Sequence, residues 1–303
     1  MDRGAGWAKT LGWDDYSLLD AGSARGPSSS LETRGERLER WGSSIVRRPE
    51  PLASGWPQDS AYGWGTPDAW CRGGRGSGTW ELRSGLAEKW VISRGPLSFR
   101  VGPSGQKQMG LFPEQAPNWD WIDRKVRSRG MPVEVLNLFA YTGGATVAAA
   151  VAGASVCHVD ASRGAILAAK DNLNLSNLSG SHVRFIVDDA RKFVDREIRR
   201  KAHYDAIIMD PPSFGRGPGG KVWEIRRDLE PLLERCAALV APSPLFIIIS
   251  FHTTGLDARA VEDMLERCAT LPPEGAIRSR EMTLVSASGK TLHCGVTVTW
   301  EAR

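Results

Sequence analysis

Residues 205–214 read Asp-Ala-Ile-Ile-Met-Asp-Pro-Pro-Ser-Phe, an apolar run that ends in Asp210, Pro211, Pro212, Ser213 and Phe214. Proline has no N–H to donate and cannot continue a central strand, so two in succession leave a stiff bend rich in carbonyl oxygens. A carboxylate enters that bend and an aromatic ring leaves it. A flat ring bearing nitrogens can stack on Phe214 and hydrogen-bond to Asp210 and to the Pro211 carbonyl. Such groups orient and polarise an acceptor. Asp210, Pro211, Pro212 and Phe214 are therefore the candidate catalytic set.

Three more such places lie upstream, each directly after an apolar run. The first is Phe139-Ala140-Tyr141-Thr142-Gly143-Gly144-Ala145-Thr146. Gly143 and Gly144 permit positive φ and let backbone approach a ligand closely. The helix beginning behind them offers free N–H groups to a carboxylate. The loop is not a Gly-x-Gly-x-x-Gly, and it lacks the Lys-Ser/Thr pair of a triphosphate loop. Two glycines also suit a plain tight turn. The second place is Asp160, sixteen residues beyond Gly144. An acid there can accept hydrogen bonds from both ribose hydroxyls, or cap a helix, with Ser162 as a competitor for the cap. The third is Asp188-Asp189. One of these can accept the amino group of an adenine, or cap the helix expected from Ala190.

Caps explain each place singly but explain four in succession poorly. The ligand they describe has a ribose, an adenine and a carboxylate-bearing tail. S-adenosylmethionine fits it better than a dinucleotide, because nothing in these loops is built for a pyrophosphate. The reaction would be methyl transfer. In-line displacement at a sulfonium asks the protein mainly to hold a nucleophile close and collinear.

Parallel strands must position these loops. From Pro132 strand and helix signals alternate, with strands expected over 133–139, 154–159, 183–187, 204–209 and 245–250. Helices are expected over 145–151, 163–175, 190–200, 226–240 and 257–271. Strands this apolar, with helices between them, imply an α/β fold: a doubly wound, Rossmann-like parallel sheet covered on both faces. Residues 292–300 alternate and are expected to form an antiparallel edge strand. Ligands of such sheets sit at the carboxyl ends of the strands, where the four motifs fall.

Ten of the twelve tryptophans precede Ile122, so the N-terminal part differs in kind. Residues 1–35 are expected to be a partly disordered segment, 36–105 a small Trp-rich β module, and 106–303 the methyl-transfer domain. Within the module, 89–93 and 97–101 read as a hairpin around Gly95-Pro96. Its tryptophans are either core or a surface on which bases stack.

The 303 residues contain no apolar run of membrane-spanning length. The N-terminus lacks an apolar signal core, and the five cysteines are scattered, with no Cys-x-x-Cys spacing. Those features fit an unsecreted, cytoplasmic protein in a reducing compartment, without a zinc site or a disulfide framework. A net charge of +4 permits a polyanionic partner without demanding one. Arg216, Lys221, Arg226 and Arg227 follow the Asp-Pro-Pro bend and can hold phosphates while a base enters the pocket. Arg196, Arg199, Arg200 and Lys201 suit the C-terminus of a helix. Gly215–Gly220, with four glycines in six residues, reads as a mobile lid. His252 borders the acceptor side, while His158 and Cys294 read as packed strand residues.

The segments 136–144, 159–162 and 210–214 together resemble the class I S-adenosylmethionine-dependent methyltransferases. More narrowly, they resemble the branch that methylates large-subunit ribosomal RNA in bacteria. Residues 106–115, Gln-Lys-Gln-Met-Gly-Leu-Phe-Pro-Glu-Gln, are similar to that branch's segment beside the cofactor. The resemblance covers about residues 97–255. It implies that Phe139, Tyr141, Gly143 and Gly144 line the methionine end and that Asp160 binds ribose. It further places Asp189 or Asp188 near the adenine, has Gln115 close the pocket, and makes RNA the substrate. Several members methylate C5 of cytosine through a cysteine just after the next strand. Here that stretch reads Ile249-Ser250-Phe251-His252-Thr253-Thr254. A serine hydroxyl is far less ionised than a thiol, so a ring nitrogen or exocyclic amine is the expected acceptor.

Overall fold

The computed structural model describes residues 10–23, 35–73, 78–104, 107–216, 222–252 and 255–302. They fall into two compact units. One comprises Met1–Glu114 with Thr283–His293, and the other Gln115–Met282 with Cys294–Arg303.

In the first unit β1 (Tyr16–Gly22), β2 (Glu36–Trp41), β3 (Ser44–Pro49), β4 (Ala69–Gly73) and β5 (Gly78–Leu82) form a five-stranded sheet in that order. The hairpin β6 (Trp90–Arg94) and β7 (Leu97–Val101) stands where the sequence places it. Every residue of β1 is buried, although it lies in a stretch expected to be partly disordered. The reason is long-range. Asp20 breaks the apolar pattern of β1, yet its carboxylate accepts from Ser288 Oγ at 2.6 Å and Lys290 Nζ at 2.7 Å. It also accepts from Trp64 Nε1 at 3.0 Å and the Asp59 N–H at 2.7 Å. The lysine and serine arrive from the far end of the chain and leave no local trace in the sequence. Trp13, Trp41 and Trp64 are buried, which favours the core reading of the tryptophans. Trp70 carries the guanidinium groups of Arg47 and Arg72 over its ring, at 4.4 and 4.0 Å from the centroid.

In the second unit α1 (Ala116–Ser128) precedes β8 (Glu134–Leu138), α2 (Gly144–Val151), β9 (Ser155–Asp160), α3 (Arg163–Leu175), β10 (Val183–Val187) and α4 (Ala190–Arg199). β11 (Ala206–Met209), a short β12 (Phe214–Arg216) and β13 (Val222–Glu224) follow. The chain ends with α5 (Ile225–Ala237), β14 (Phe246–Phe251), α6 (Ala258–Arg267), β15 (Ala276–Val285) and β16 (Thr291–Glu301). Among the described residues the main sheet has the order β10-β9-β8-β11-β14-β16-β15. Strands β8 to β11 and β14 pair in parallel, and β16 runs antiparallel to β14. All of β11 and β14 is buried, as befits central strands covered on both faces.

The chain moves outward from β8 to β9 and β10, then returns to lay β11 on its other side. The crevice beyond β8 and β11 is thus a topological switch point, where open α/β sheets bind ligands. Two elements differ from expectation. β16 is antiparallel but is not the edge, because β15 lies outside it. β15 escapes a hydrophobic reading because residues 278–281 within it are all exposed. α1 also goes unread in the sequence, since Pro117 looks like a breaker. In fact it sits in the first turn, where its missing N–H costs nothing.

Candidate active site

The parallel register of β11 and β14 pairs Met209 with Ile249 and so brings Asp210 beside Ser250. Ser250 Oγ donates to Asp210 Oδ1 at 2.9 Å. Gln115 Nε2 donates to Asp210 Oδ2 at 3.1 Å and to Ser250 Oγ at 2.9 Å. Gln115 is in turn held by Asn118, one helical turn on, whose Nδ2 donates to Gln115 Oε1 at 2.6 Å. Asn118 Nδ2 also reaches Thr297 Oγ1 of β16 at 3.0 Å. Each oxygen of Asp210 thus has a fixed donor, Ser250 on Oδ1 and Gln115 on Oδ2. Ser250 stands out in the sequence only as a residue that is not cysteine, and its role emerges from strand register. Asn118 gives no motif signal at all.

Past the bend, Pro211 is buried, and Phe214 is 59% exposed. An exposed ring at a ligand crevice is free to stack. The bend continues into the β12–β13 hairpin, which pairs Phe214 with Glu224 and Gly215 with Trp223. Trp223, another residue the motifs do not reveal, donates Nε1–H to the Pro212 carbonyl at 2.7 Å. Of the expected lid, Gly215 lies in β12, while residues 217–220 fall outside the described residues, as does Lys221. Arg227 is engaged by Asp228 at 2.7 Å and by the Val222 carbonyl at 3.0 Å. Arg196 is paired with Asp188. These two arginines therefore already have protein partners.

The loop after β8 alternates backbone hands: Phe139, Tyr141 and Gly143 have φ of 54°, 48° and 87°. Positive φ in non-glycine residues is costly and concentrates at functional loops. Packing also explains the glycines. A Cβ on Gly143 would stand 2.9 Å from the Ala169 Cβ, and one on Gly144 would stand 2.4 Å from the Trp119 ring. The α2 cap is Gly143 itself, which brings no side chain to the N–H groups of the first turn. Thr142 is buried, and its carbonyl accepts from Asn172 Nδ2 at 2.8 Å.

Asp160 accepts the Tyr141 N–H at Oδ2, 2.8 Å away, and the Ser162 N–H at Oδ1, 2.7 Å away. Burial raises its pKa, and the two N–H bonds oppose that rise without reversing it. Ser162 is the cap of α3, accepting the Ala165 N–H at 3.2 Å, so that duty does not fall to Asp160. Of the roles open to Asp189, the structure fills the cap of α4. Asp189 accepts the N–H groups of Arg191 and Lys192 and pairs with the Arg191 guanidinium at 3.1 Å. Asp188 accepts the Asp189 N–H at 2.8 Å and pairs with Arg196. His158, fully buried on β9, shares a 2.8 Å hydrogen bond between Nδ1 and Thr146 Oγ1. Burial lowers its pKa to about 4.

This arrangement has counterparts in known proteins. A family model described as S-adenosylmethionine-dependent methyltransferase matches residues 72–270, more than half of the chain. The chain belongs to that family. A crystal structure of the SAM-dependent methyltransferase from Agrobacterium tumefaciens is 32% identical, with a TM-score of 0.86, over 99% of this chain and 92% of that one. The ribosomal RNA large subunit methyltransferase K/L of Syntrophotalea carbinolica is 32% identical over 67% of this chain and 28% of its own length. Its namesake from Chromohalobacter salexigens is 32% identical over 55% of this chain and 22% of its own length. The chain therefore spans less than a third of these curated relatives.

The family's cofactor is S-adenosylmethionine, and the second unit has donors and acceptors that suit it. The uncapped first turn of α2 can take a carboxylate. Asp160 is pre-aimed by two backbone N–H groups and keeps lone pairs for a diol. Burial raises its pKa, opposed only by those two N–H groups. Among the described residues no group of three or more His, Cys, Asp and Glu side chains is arranged to hold a metal. No described helix is long and apolar enough to cross a membrane.

Proposed function

We propose that this chain transfers a methyl group from S-adenosylmethionine to a nitrogen of an RNA base, with large-subunit ribosomal RNA as the substrate. The observation that carries the reading is the Asp210 carboxylate. It is fixed from behind by Ser250 and Gln115 and followed two residues past Pro212 by the exposed ring of Phe214.

When bound, S-adenosylmethionine supplies a methyl group on a positively charged sulfur, open to in-line displacement. The protein's share is then positioning. In this reading the loop from Phe139 to Gly144 and the α2 N-terminus hold the methionine end. Asp160 holds the ribose, and the turn at Asp188 and Asp189 borders the adenine. Phe214 stacks on the incoming base, and Asp210 accepts an N–H from it, which aims the nitrogen lone pair and favours its developing positive charge. Ionised carboxylates only accept, so Asp210 selects a donor such as an amine or imino N–H. Methylation at C5 of a cytosine needs a covalent thiolate adduct. Cys71, Cys157, Cys236 and Cys268 are buried, and burial raises the pKa of each, which suits core packing better than attack. Ribosomal RNA as the substrate is supported by the names of the relatives and by the exposed ring of Phe214, on which a base can stack.

The test is calorimetric titration with S-adenosylmethionine and, separately, with NAD, followed by transfer of labelled methyl groups to ribosomal RNA. Micromolar binding of S-adenosylmethionine alone, with label recovered in a nitrogen-methylated nucleoside, is the expected result. Label on C5 of a pyrimidine would overturn the nitrogen assignment. Label only on protein or small molecules would overturn the RNA assignment.

A further inference from the structure

Trp223 touches two strand-end loops and the first turn of α4 at once. Its indole N–H donates to the carbonyl of Pro212, the second proline of the bend after β11, at 2.7 Å. Its ring lies 4.8 Å from that of Phe139, the first positive-φ residue of the loop after β8. The Arg191 guanidinium sits 5.8 Å from its ring centroid, and Arg191 pairs with Asp189 at the turn after β10. Arg191 Nη1 also reaches the Val222 carbonyl, beside Trp223, at 3.3 Å. Trp223 is only 4% exposed, so these contacts are made inside the unit rather than through solvent.

Each contact is of ordinary strength, but their placement matters. Pro211 and Pro212 have no N–H, so neither can donate a backbone hydrogen bond and only their carbonyls can be held. The bend is tied by the Ile225 N–H to the Ser213 carbonyl at 3.1 Å, and the indole N–H adds a hold on the Pro212 carbonyl, one residue nearer Asp210. The same ring is packed on the loop that would feel the methionine end of the cofactor, and a shift of Phe139 is transmitted to it by contact.

We propose that Trp223 is a positioning residue that couples cofactor binding at the loop after β8 to the set of the Asp-Pro-Pro bend. The inference rests on the functional reading above. In it, filling the cofactor pocket steadies Phe139, the steadied ring fixes Trp223, and Trp223 fixes the bend that presents Asp210 and Phe214. The tryptophan itself touches neither substrate.

Hydrogen exchange with S-adenosylmethionine alone tests the coupling without any methyl acceptor. In the wild type, the cofactor should slow exchange of the peptide containing Val222–Ile225 by about tenfold. Trp223→Phe keeps a ring against Phe139 but removes the N–H. It should bind S-adenosylmethionine within about threefold of wild type yet lose most of that slowing. Its turnover on ribosomal RNA should fall about tenfold with KM for the cofactor unchanged. Phe139→Leu breaks the path from the other side and should also lose the slowing while the Trp223–Pro212 bond stays in place. Retained slowing in Trp223→Phe would overturn the proposal. So would a parallel fall of cofactor affinity and turnover, the mark of a merely structural residue. Failure of the wild type to bind S-adenosylmethionine would overturn the functional reading and this inference with it, and it is seen before any variant is made.

Discussion

Glu39 in the first unit and Asp160 in the second are both carboxylates withdrawn from water, and their surroundings treat them oppositely. Burial pushes Glu39 up, but the Arg48 and Arg37 charges and the Arg48 hydrogen bonds overcome it and hold the group at about 2. The bond from Arg48 Nε to Glu39 Oε2 is 2.6 Å long, and Tyr16 donates to Oε1 at 2.9 Å. Burial also pushes Asp160 up, and only two backbone N–H groups oppose it, so it stays raised. The signs of the linkage follow. Glu39 contributes stability above its unfolded pKa of about 4.5 and loses it as pH falls toward 2. Asp160 holds its proton more tightly when folded, so its ionisation costs stability as pH rises through its raised pKa. Glu39 is completed by charges of its own unit, whereas Asp160 has only backbone N–H groups beside it.

The largest effect that would break this contrast is expected at Glu39. Replacing it with glutamine removes the carboxylate that pairs with buried Arg48 and leaves Arg37 only its more distant carboxylates such as Glu50, which costs on the order of 3–5 kcal/mol. Urea unfolding followed by tryptophan fluorescence should show that loss. S-adenosylmethionine affinity of the folded fraction should be unchanged, and a matching fall in affinity would erase the distinction between a structural and a functional carboxylate.

Next in size is a pH effect inside the second unit. His158 is neutral when folded because burial lowers its pKa from 6.5 to about 4. Stability tied to it is complete above 6.5 and lost as pH falls through 4, on the order of 3 kcal/mol for a shift of that size. Thermal unfolding between those pH values should flatten in His158→Gln. An unflattened profile would remove the histidine from the account.

Asp160→Ala comes third. Losing a charged acceptor for two ribose hydroxyls should weaken S-adenosylmethionine binding by about a hundredfold. Calorimetry decides it, and unchanged affinity would remove the ribose assignment.

How much of this was legible in the sequence depends on the range of the interaction that decides it. β8, β9, β10, β11 and β14 are fixed by their own apolar residues, and α3 by local periodicity and the Ser162 cap, so these were read directly from the chain. The loops at their ends could be read because strand order puts them at one edge. β1 has no such local signal, because Asp20 is acceptable there only through partners distant in sequence: Asp59, Trp64, Ser288 and Lys290. β15 lacks a clear signal, because the exposed run 278–281 interrupts its apolar pattern. The roles of Ser250, Asn118 and Trp223 leave no motif in the sequence for a related reason. Each acts across strands or through a side chain meeting backbone far along the chain, as when Trp223 bonds Pro212.

Ser250 offers the smallest effect and the sharpest test of the second unit's logic. Its hydroxyl donates to Asp210 Oδ1 and accepts from Gln115, so it sits between the two groups that fix the carboxylate. Ser250→Ala removes the donor to Oδ1 and leaves the Gln115 bond to Oδ2 in place. A hydrogen bond to a charged group is worth more than a neutral one, so turnover should fall about tenfold. Ser250 bonds Asp210 and Gln115 rather than Asp160 or the loop after β8, so cofactor affinity should hold. Ser250→Thr keeps a hydroxyl and should restore most of the rate if its extra methyl fits beside β16. A loss of affinity equal to the loss of rate would mean that Ser250 supports the pocket as a whole. A loss of rate alone would place the serine with Asp210, as a group that aims the acceptor.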